Sequence, residues 1–329
     1  MECDIIQTNV LYYEVIAVSS LNPSDENKFG GKWSVKKLEC VEAYLDSYLT
    51  VMKNQSWATL WYIDAFSGDG YQFFKSDDCS DENLALFEFE NSRIEEFTMG
   101  SAMRAIELSS KRESCGKRAF DQFVFLEYNE NKLAALEERI RESHPDQIGK
   151  CLFIPGDVNN TLPDLLAKRN WESDRAVTFV DPCATQLEWS AIESFEGTCS
   201  DVWLLFPLSS ILRLMPREKM PSSGNAKRLT KLFGSSSWDG IYHDLRPEQL
   251  ALFGNDDGRP YRESGYEELL AYTTERYKTV FPEVCGYAVL KTEKNAPLFA
   301  LYSMVANIST NARNTSRKIS QHLIRQLEG

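Results

Sequence analysis

Five short apolar runs, each ending in a polar or turn residue, frame the chain. They are Thr59 to Asp64, Phe123 to Glu127, Cys151 to Ile154 before Pro155-Gly156-Asp157, Ala176 to Val180 before Asp181-Pro182, and Val202 to Phe206 before Pro207. Continuous apolar runs of this length read as buried strands. Helical periodicity follows most of them: Leu133, Leu136 and Ile140 share one face of 131–142, and 161–168 and 188–195 also read as helices. Strand and helix in alternation predict a parallel sheet with right-handed crossovers. Upstream, Val35, Leu38, Val41, Tyr44, Leu45, Tyr48 and Leu49 recur at helical spacing, with Ser34 in position to cap the helix. Downstream, 266–281 reads as a helix, and Gly286 to Leu290 and Leu298 to Ile308 flank a polar turn and read as an antiparallel hairpin. The expected fold class is therefore α/β, a mostly parallel sheet with a C-terminal antiparallel hairpin and helices on both faces. The expected organisation is an N-terminal arm over 1–32, a main domain over 33–309 and a basic tail over 310–329 that forms a surface helix.

Within the main domain the first strand runs directly into Ser67-Gly68-Asp69-Gly70, a glycine turn where backbone can approach a ligand. The helix due after this turn is displaced. An acidic insertion, 75–99, comes first, and Gly100-Ser101 then opens a helix with Ser101 as the expected cap. Ser-Gly-Asp-Gly lacks the three-glycine spacing of a dinucleotide fingerprint, so NAD is the weaker expectation.

The chain has 329 residues and a formal charge of -13, which opposes unaided binding to nucleic acid. The distribution is uneven: Asp77 to Phe97 holds eight acids and one base, whereas the helical segment 208–240 gathers Arg213, Arg217, Lys219, Lys227, Arg228 and Lys231. That segment is either a phosphate-contacting patch or a solvated face. Eight scattered cysteines and three separated histidines give no cluster for a zinc or iron-sulfur site and little material for a Ser-His-Asp triad. No apolar run approaches 18 residues, and the start of the chain lacks the basic and apolar pattern of a signal peptide. A soluble, cytoplasmic protein with no membrane partner is expected.

The acids at the strand ends fall in an order that resembles a class I S-adenosylmethionine-dependent methyltransferase with a Rossmann-like sheet. That resemblance implies a cofactor site of Asp64, Ala65, Phe66, Gly68, Gly70 and Ser101, with Glu127 on the ribose hydroxyls and Asp157 on the adenine amine. Asp181-Pro182 resembles the Asp-Pro-Pro-aromatic motif of amino-methyltransferases, which implies that Asp181 and the Pro182 backbone orient an acceptor amine. Tyr62-Ile63-Asp64-Ala65-Phe66-Ser67-Gly68-Asp69-Gly70, Gly100-Ser101, Phe125-Leu126-Glu127, Gly156-Asp157, Phe179-Val180-Asp181-Pro182, Trp189, Arg213 and Leu232-Phe233-Gly234 with Trp238 resemble the bacterial three-Cys-motif partner family. The resemblance implies a partner protein bearing a three-cysteine, radical-type motif. Two departures stand out: Cys183-Ala184 replaces the family's Phe-Gly after Asp-Pro, and the acidic insertion is longer than the family loop. The expectation is a methyltransferase acting on an amine of a nucleic acid or base-like acceptor; the alternative is a non-catalytic, methyltransferase-like partner protein.

Overall fold

The computed structural model describes residues 32–75, 94–243, 260–262 and 265–328. The strand expected over Val10 to Val18, most of the acidic segment and part of the polar stretch 254–265 lie outside the described residues. Among these residues the helices and strands, in chain order, are α1 (Lys32–Val51), β1 (Thr59–Asp64), β2 (Tyr71–Lys75), β3 (Ile94–Met99), α2 (Ser101–Ser114), β4 (Gln122–Glu127), α3 (Glu130–Ser143) and β5 (Cys151–Pro155). Then come α4 (Val158–Ala167), β6 (Asp174–Val180), α5 (Trp189–Glu193), β7 (Ser200–Phe206), α6 (Leu208–Leu214) and α7 (Ser223–Phe233). The last four are α8 (Glu267–Lys278), β8 (Glu283–Lys291), β9 (Pro297–Val305) and α9 (Thr310–Glu328).

Seven strands form one sheet in the order β5-β4-β1-β6-β7-β9-β8. The pairs β4/β5, β1/β4, β1/β6 and β6/β7 are parallel, and β9 runs antiparallel to both β7 and β8. Counted by the strands of this sheet, the first five follow the 3-2-1-4-5 progression of a Rossmann-like sheet, with the final hairpin closing one edge. Period-two alternation assigns the residues to two cores. Leu60, Tyr62, Phe123, Phe125, Val177, Phe179, Trp203 and Leu205 face α1, α2, α3 and α9, whereas Ile63, Val124, Leu126, Val180, Val202, Leu204 and Phe206 face α4 to α8.

Two expected caps are corrected. Ser34 lies inside α1, not at its N-cap, and is buried because it shares the inward stripe with Leu38, Val41 and Leu45. The N-cap of α2 is Gly100; Ser101 is the first helical residue. The displaced helix has a structural cause: β2 and β3 pair as a separate antiparallel ribbon whose base is closed by the Gly100 N–H donating to Gly70 O at 2.8 Å.

The 310–329 segment does form a helix, but one face of it is interior. Ser316, Ser320, Leu323 and Ile324 are buried as α9 packs on β8 and α1. Its inner side is partly hydroxylic: Ser320 accepts from Ser303 at 2.8 Å, and Ser316 donates to Asp201 at 2.7 Å. Tyr44 of α1 donates to the same Asp201 oxygen at 2.5 Å, so one buried carboxyl joins α1, β7 and α9.

Burial raises the Asp201 carboxyl from its ordinary 3.8 to about 6, against the pull of its two hydroxyl donors. The folded state therefore binds this proton more tightly than the unfolded chain. Stability from this group is fullest below pH 4, declines as pH rises to about 6 and is level above that. The stability of the wild type minus that of Asp201→Asn should fall by about 2 kcal/mol between pH 4 and pH 7, as read from urea unfolding. A constant difference over that range would contradict the protonated, buried state.

Candidate functional site

The strand order reverses on either side of β1, with β4 and β5 on one hand and β6 and β7 on the other. In open α/β sheets ligands sit outside the carboxyl ends of the strands at such a switch point. Asp64 ends β1 there, paired in register with Phe179 of β6. Strand parity turns its side chain toward α1 and α2, where it is fully buried. Its carboxyl accepts from the Tyr62 hydroxyl at 3.0 Å, from the Phe66 N–H at 3.3 Å and from the Ser101 hydroxyl. Burial raises it to about 6, and Asp181 adds to the rise. Asp64 and Ser101 thus meet as a buried pair that fixes the turn, while Ala65 is buried and bonds through its N–H to Phe179 O.

The turn itself needs glycine at two positions for different reasons. Gly68 has φ +61°, and no described atom lies within 4 Å of where a Cβ would project. Gly70 has φ +91°, and a Cβ there would meet Met103 and Leu136 at 2.9 Å. The first faces open space; the second lets the turn lie against α2 and α3. Between them Asp69 is held by Arg139 of α3 at 3.1 Å.

Glu127, at the end of β4, reaches across to this turn. Its Oε2 accepts from the Gly68 N–H at 3.1 Å and its Oε1 from the Asn129 N–H at 2.9 Å. A carboxylate offers about four lone-pair sites, so two acceptor positions are left for hydroxyl donors. Asp157 follows β5, is exposed, and caps α4 by accepting from the Asn159 N–H at 2.9 Å. Tyr128, directly after Glu127, is 78% exposed and presents a bare ring at the same edge.

Asp181 and Pro182 follow β6, and there the structure adds a residue missed in the sequence. Lys37 of α1, 2% exposed, donates from Nζ to Asp181 Oδ2 at 2.5 Å. A signal for it was present: Lys37 stands in the helical stripe with Val41, Tyr44, Leu45 and Tyr48, a charge on a buried face. Beyond Pro182 the chain turns through Cys183 and Ala184, both exposed. Burial around its sulfur, then the Asp181 charge, push the Cys183 thiol above its ordinary value, which disfavours the thiolate a nucleophile needs.

The basic residues lie on the surface next to this loop. Arg213 closes α6, and Lys227, Arg228 and Lys231 are exposed on α7, whose inner side buries Leu229 and Phe233. Lys231 pairs at 2.6 Å with Glu188, the N-cap of α5, which ends the loop that begins at Asp181. Arg217, between the helices, is also exposed. A cavity of about 220 Å³ lies away from these acids, between the edge strand β5 and α4, lined by Leu152, Ile154, Thr161 and Leu165 with Asp164 and Lys168. Among the described residues no group of three His, Cys, Asp or Glu side chains could hold a metal ion, and no helix is long and apolar enough to cross a membrane.

Ala184 carries φ +55°, a left-handed conformation that costs a residue with a Cβ about 1 kcal/mol. Ala184→Gly should therefore stabilise the fold by about 0.5–1 kcal/mol, measured as a rise in urea midpoint at constant slope. A loss of stability would mean that the loop depends on the methyl group.

No protein-family model and no curated protein matches this chain. Solved structures that resemble it include a Legionella pneumophila protein described by the family model DUF519, at 12% identity and TM-score 0.44, covering 92% of this chain and 94% of that one. The methyltransferase domain of bacterial CtHen1 aligns at 11% identity and TM-score 0.35, covering 81% of this chain and 99% of that domain. The glycopeptide N-methyltransferase MtfA, complexed with S-adenosylmethionine, aligns at 11% identity and TM-score 0.30, covering 80% and 94%. At these values the similarities carry no argument about activity or substrate.

Proposed function

We propose that the protein is an S-adenosylmethionine-dependent methyltransferase that acts on an amine of a nucleic acid or base-like acceptor. One observation carries the reading: Asp64, Glu127, Asp157 and Asp181 stand at the carboxyl ends of β1, β4, β5 and β6, in order across the switch point of one sheet. Bound cofactor would supply an electrophilic methyl group, so that the chain's task is mainly alignment. Glu127 would hold the two ribose hydroxyls with its remaining lone pairs, and the open side of Gly68 would admit the methionine portion. Asp157 is exposed and could accept from the adenine amine. Asp181 and the Pro182 carbonyl would accept N–H bonds from the acceptor, directing its lone pair at the methyl group.

A phosphate-bearing acceptor suits the position of Lys227 and Arg228 on α7, because that helix is tied through Lys231 and Glu188 to the Asp181 loop. A second reading is a methyltransferase-shaped partner for a three-cysteine, radical-type protein. Cys183 favours it, since a small side chain stands where an aromatic ring would stack on a base. A bacterial, cytoplasmic setting belongs to either reading.

Calorimetry with S-adenosylmethionine tests the cofactor site. Wild-type protein should bind, and Glu127→Ala should weaken binding by about 10- to 100-fold, the worth of hydrogen bonds to a charged group. Absence of binding by the wild type would sink the enzyme reading. Binding without methyl transfer to RNA, DNA or protein would leave the partner reading. Charge reversal at Lys227 and Arg228 should lower affinity for RNA and flatten its salt dependence; an unchanged slope would make α7 a solvated face.

A further inference from the structure

The least expected feature of the strand-end face is a cation within it. Lys37 comes from α1, 144 residues away in sequence from its partner, and its side chain is 3% exposed against 17% for Asp181. Its surroundings are aromatic: the Nζ lies 5.6 Å from the Trp33 ring centre and 5.8 Å from that of Phe179. Trp33 is itself stacked on Phe299 of β9 at 4.7 Å. An ammonium in such a place is costly unless it is paired, and the rings restrict the directions from which it can be paired.

The contact is one-sided. Lys37 takes Oδ2 of Asp181, and it is the partner recorded for that carboxylate among the described residues. That leaves Oδ1 as an acceptor of a side chain that keeps 17% of its exposure. Asp64 is near enough for its charge and that of Asp181 to oppose each other. A lysine at this point therefore allows two strand-end carboxyls to stand close together, and it fixes the rotation of the outer one.

We infer that Lys37 is a positioning residue that clamps Oδ2 of Asp181, so that Oδ1 and the Pro182 carbonyl form a two-point receiver for an acceptor amine. This rests on the amine-methylation reading above. It assigns Lys37 to the acceptor side of the site and not to the cofactor's carboxylate. It also gives α1, which carries none of the motif residues, a part in the site through Asp181.

The test uses the full chain and four variants: Lys37→Met, Lys37→Arg, Asp181→Asn and the Lys37→Met/Asp181→Asn double. Lys37→Met should melt below wild type because it strands a half-buried carboxylate, and the double variant should recover most of the loss. Failure to recover would overturn the clamp. Titration with S-adenosylmethionine should give Lys37→Met a Kd within about threefold of wild type. A loss of tenfold or more would place Lys37 on the cofactor and overturn the proposal. Transfer of labelled methyl from S-adenosylmethionine to total RNA should fall about 100-fold in Lys37→Met, in kcat more than in KM, and be partly restored in Lys37→Arg. An undiminished rate would also overturn it. Should the wild type neither bind the cofactor nor transfer methyl, the methyltransferase reading fails, while the melting cycle still decides whether Lys37 clamps Asp181.

Discussion

The strand-end face depends on a carboxyl group that never meets solvent. Asp64 gathers the Tyr62 hydroxyl, the Phe66 N–H and the Ser101 hydroxyl, and so ties the end of β1, the glycine turn and the start of α2 to one point. It adds a side-chain tie to the backbone bond by which Gly100, at the start of that helix, already holds Gly70. Much of the loop geometry follows. Gly68 can present its N–H to Glu127, and Gly70 can lie against α2 and α3, only while the turn is held at its root. A group so enclosed acts on the turn from behind, through the backbone and hydroxyl groups it holds.

Around that point two kinds of carboxylate divide the work. Glu127 and Asp157 are satisfied largely by backbone N–H groups, as strand-end and cap residues commonly are, and keep acceptor capacity to spare. Asp181 is different, because its partner is a side chain carried by a helix that precedes β1. Backbone bonds set the first two; a side chain from a distant helix sets the third. The same contrast appears at Asp201, whose hydroxyl donors come from α1 and α9 at opposite ends of the described chain.

The sheet was legible because buried parallel strands are written as continuous apolar runs, and because each ended in a polar residue that marked its direction. The acids were legible for the same reason, being fixed relative to those runs. The site residue that escaped notice, Lys37, did so because its meaning depends on a partner 144 positions away, although its place in an apolar stripe was a visible anomaly. The interior role of α9 was hidden by its chemistry. Ser316 and Ser320 do not register as core in a hydrophobic pattern, yet both are buried once Asp201 and Ser303 are opposite them. The β2–β3 ribbon escaped because its strands are separated by the charged segment that dominates the local composition.

That ribbon has an architectural consequence. The chain leaves the strand-end face at Gly70 and comes back at Gly100, and a single backbone bond of 2.8 Å joins the two points. The described ribbon between them enters and exits through one doorway. Its length and charge can therefore change from one descendant of this sequence to another while Asp64, Ser101 and the glycine turn keep their relation. The doorway makes the neighbourhood of the candidate site a place where new recognition elements can be attached without rebuilding the sheet that supports it.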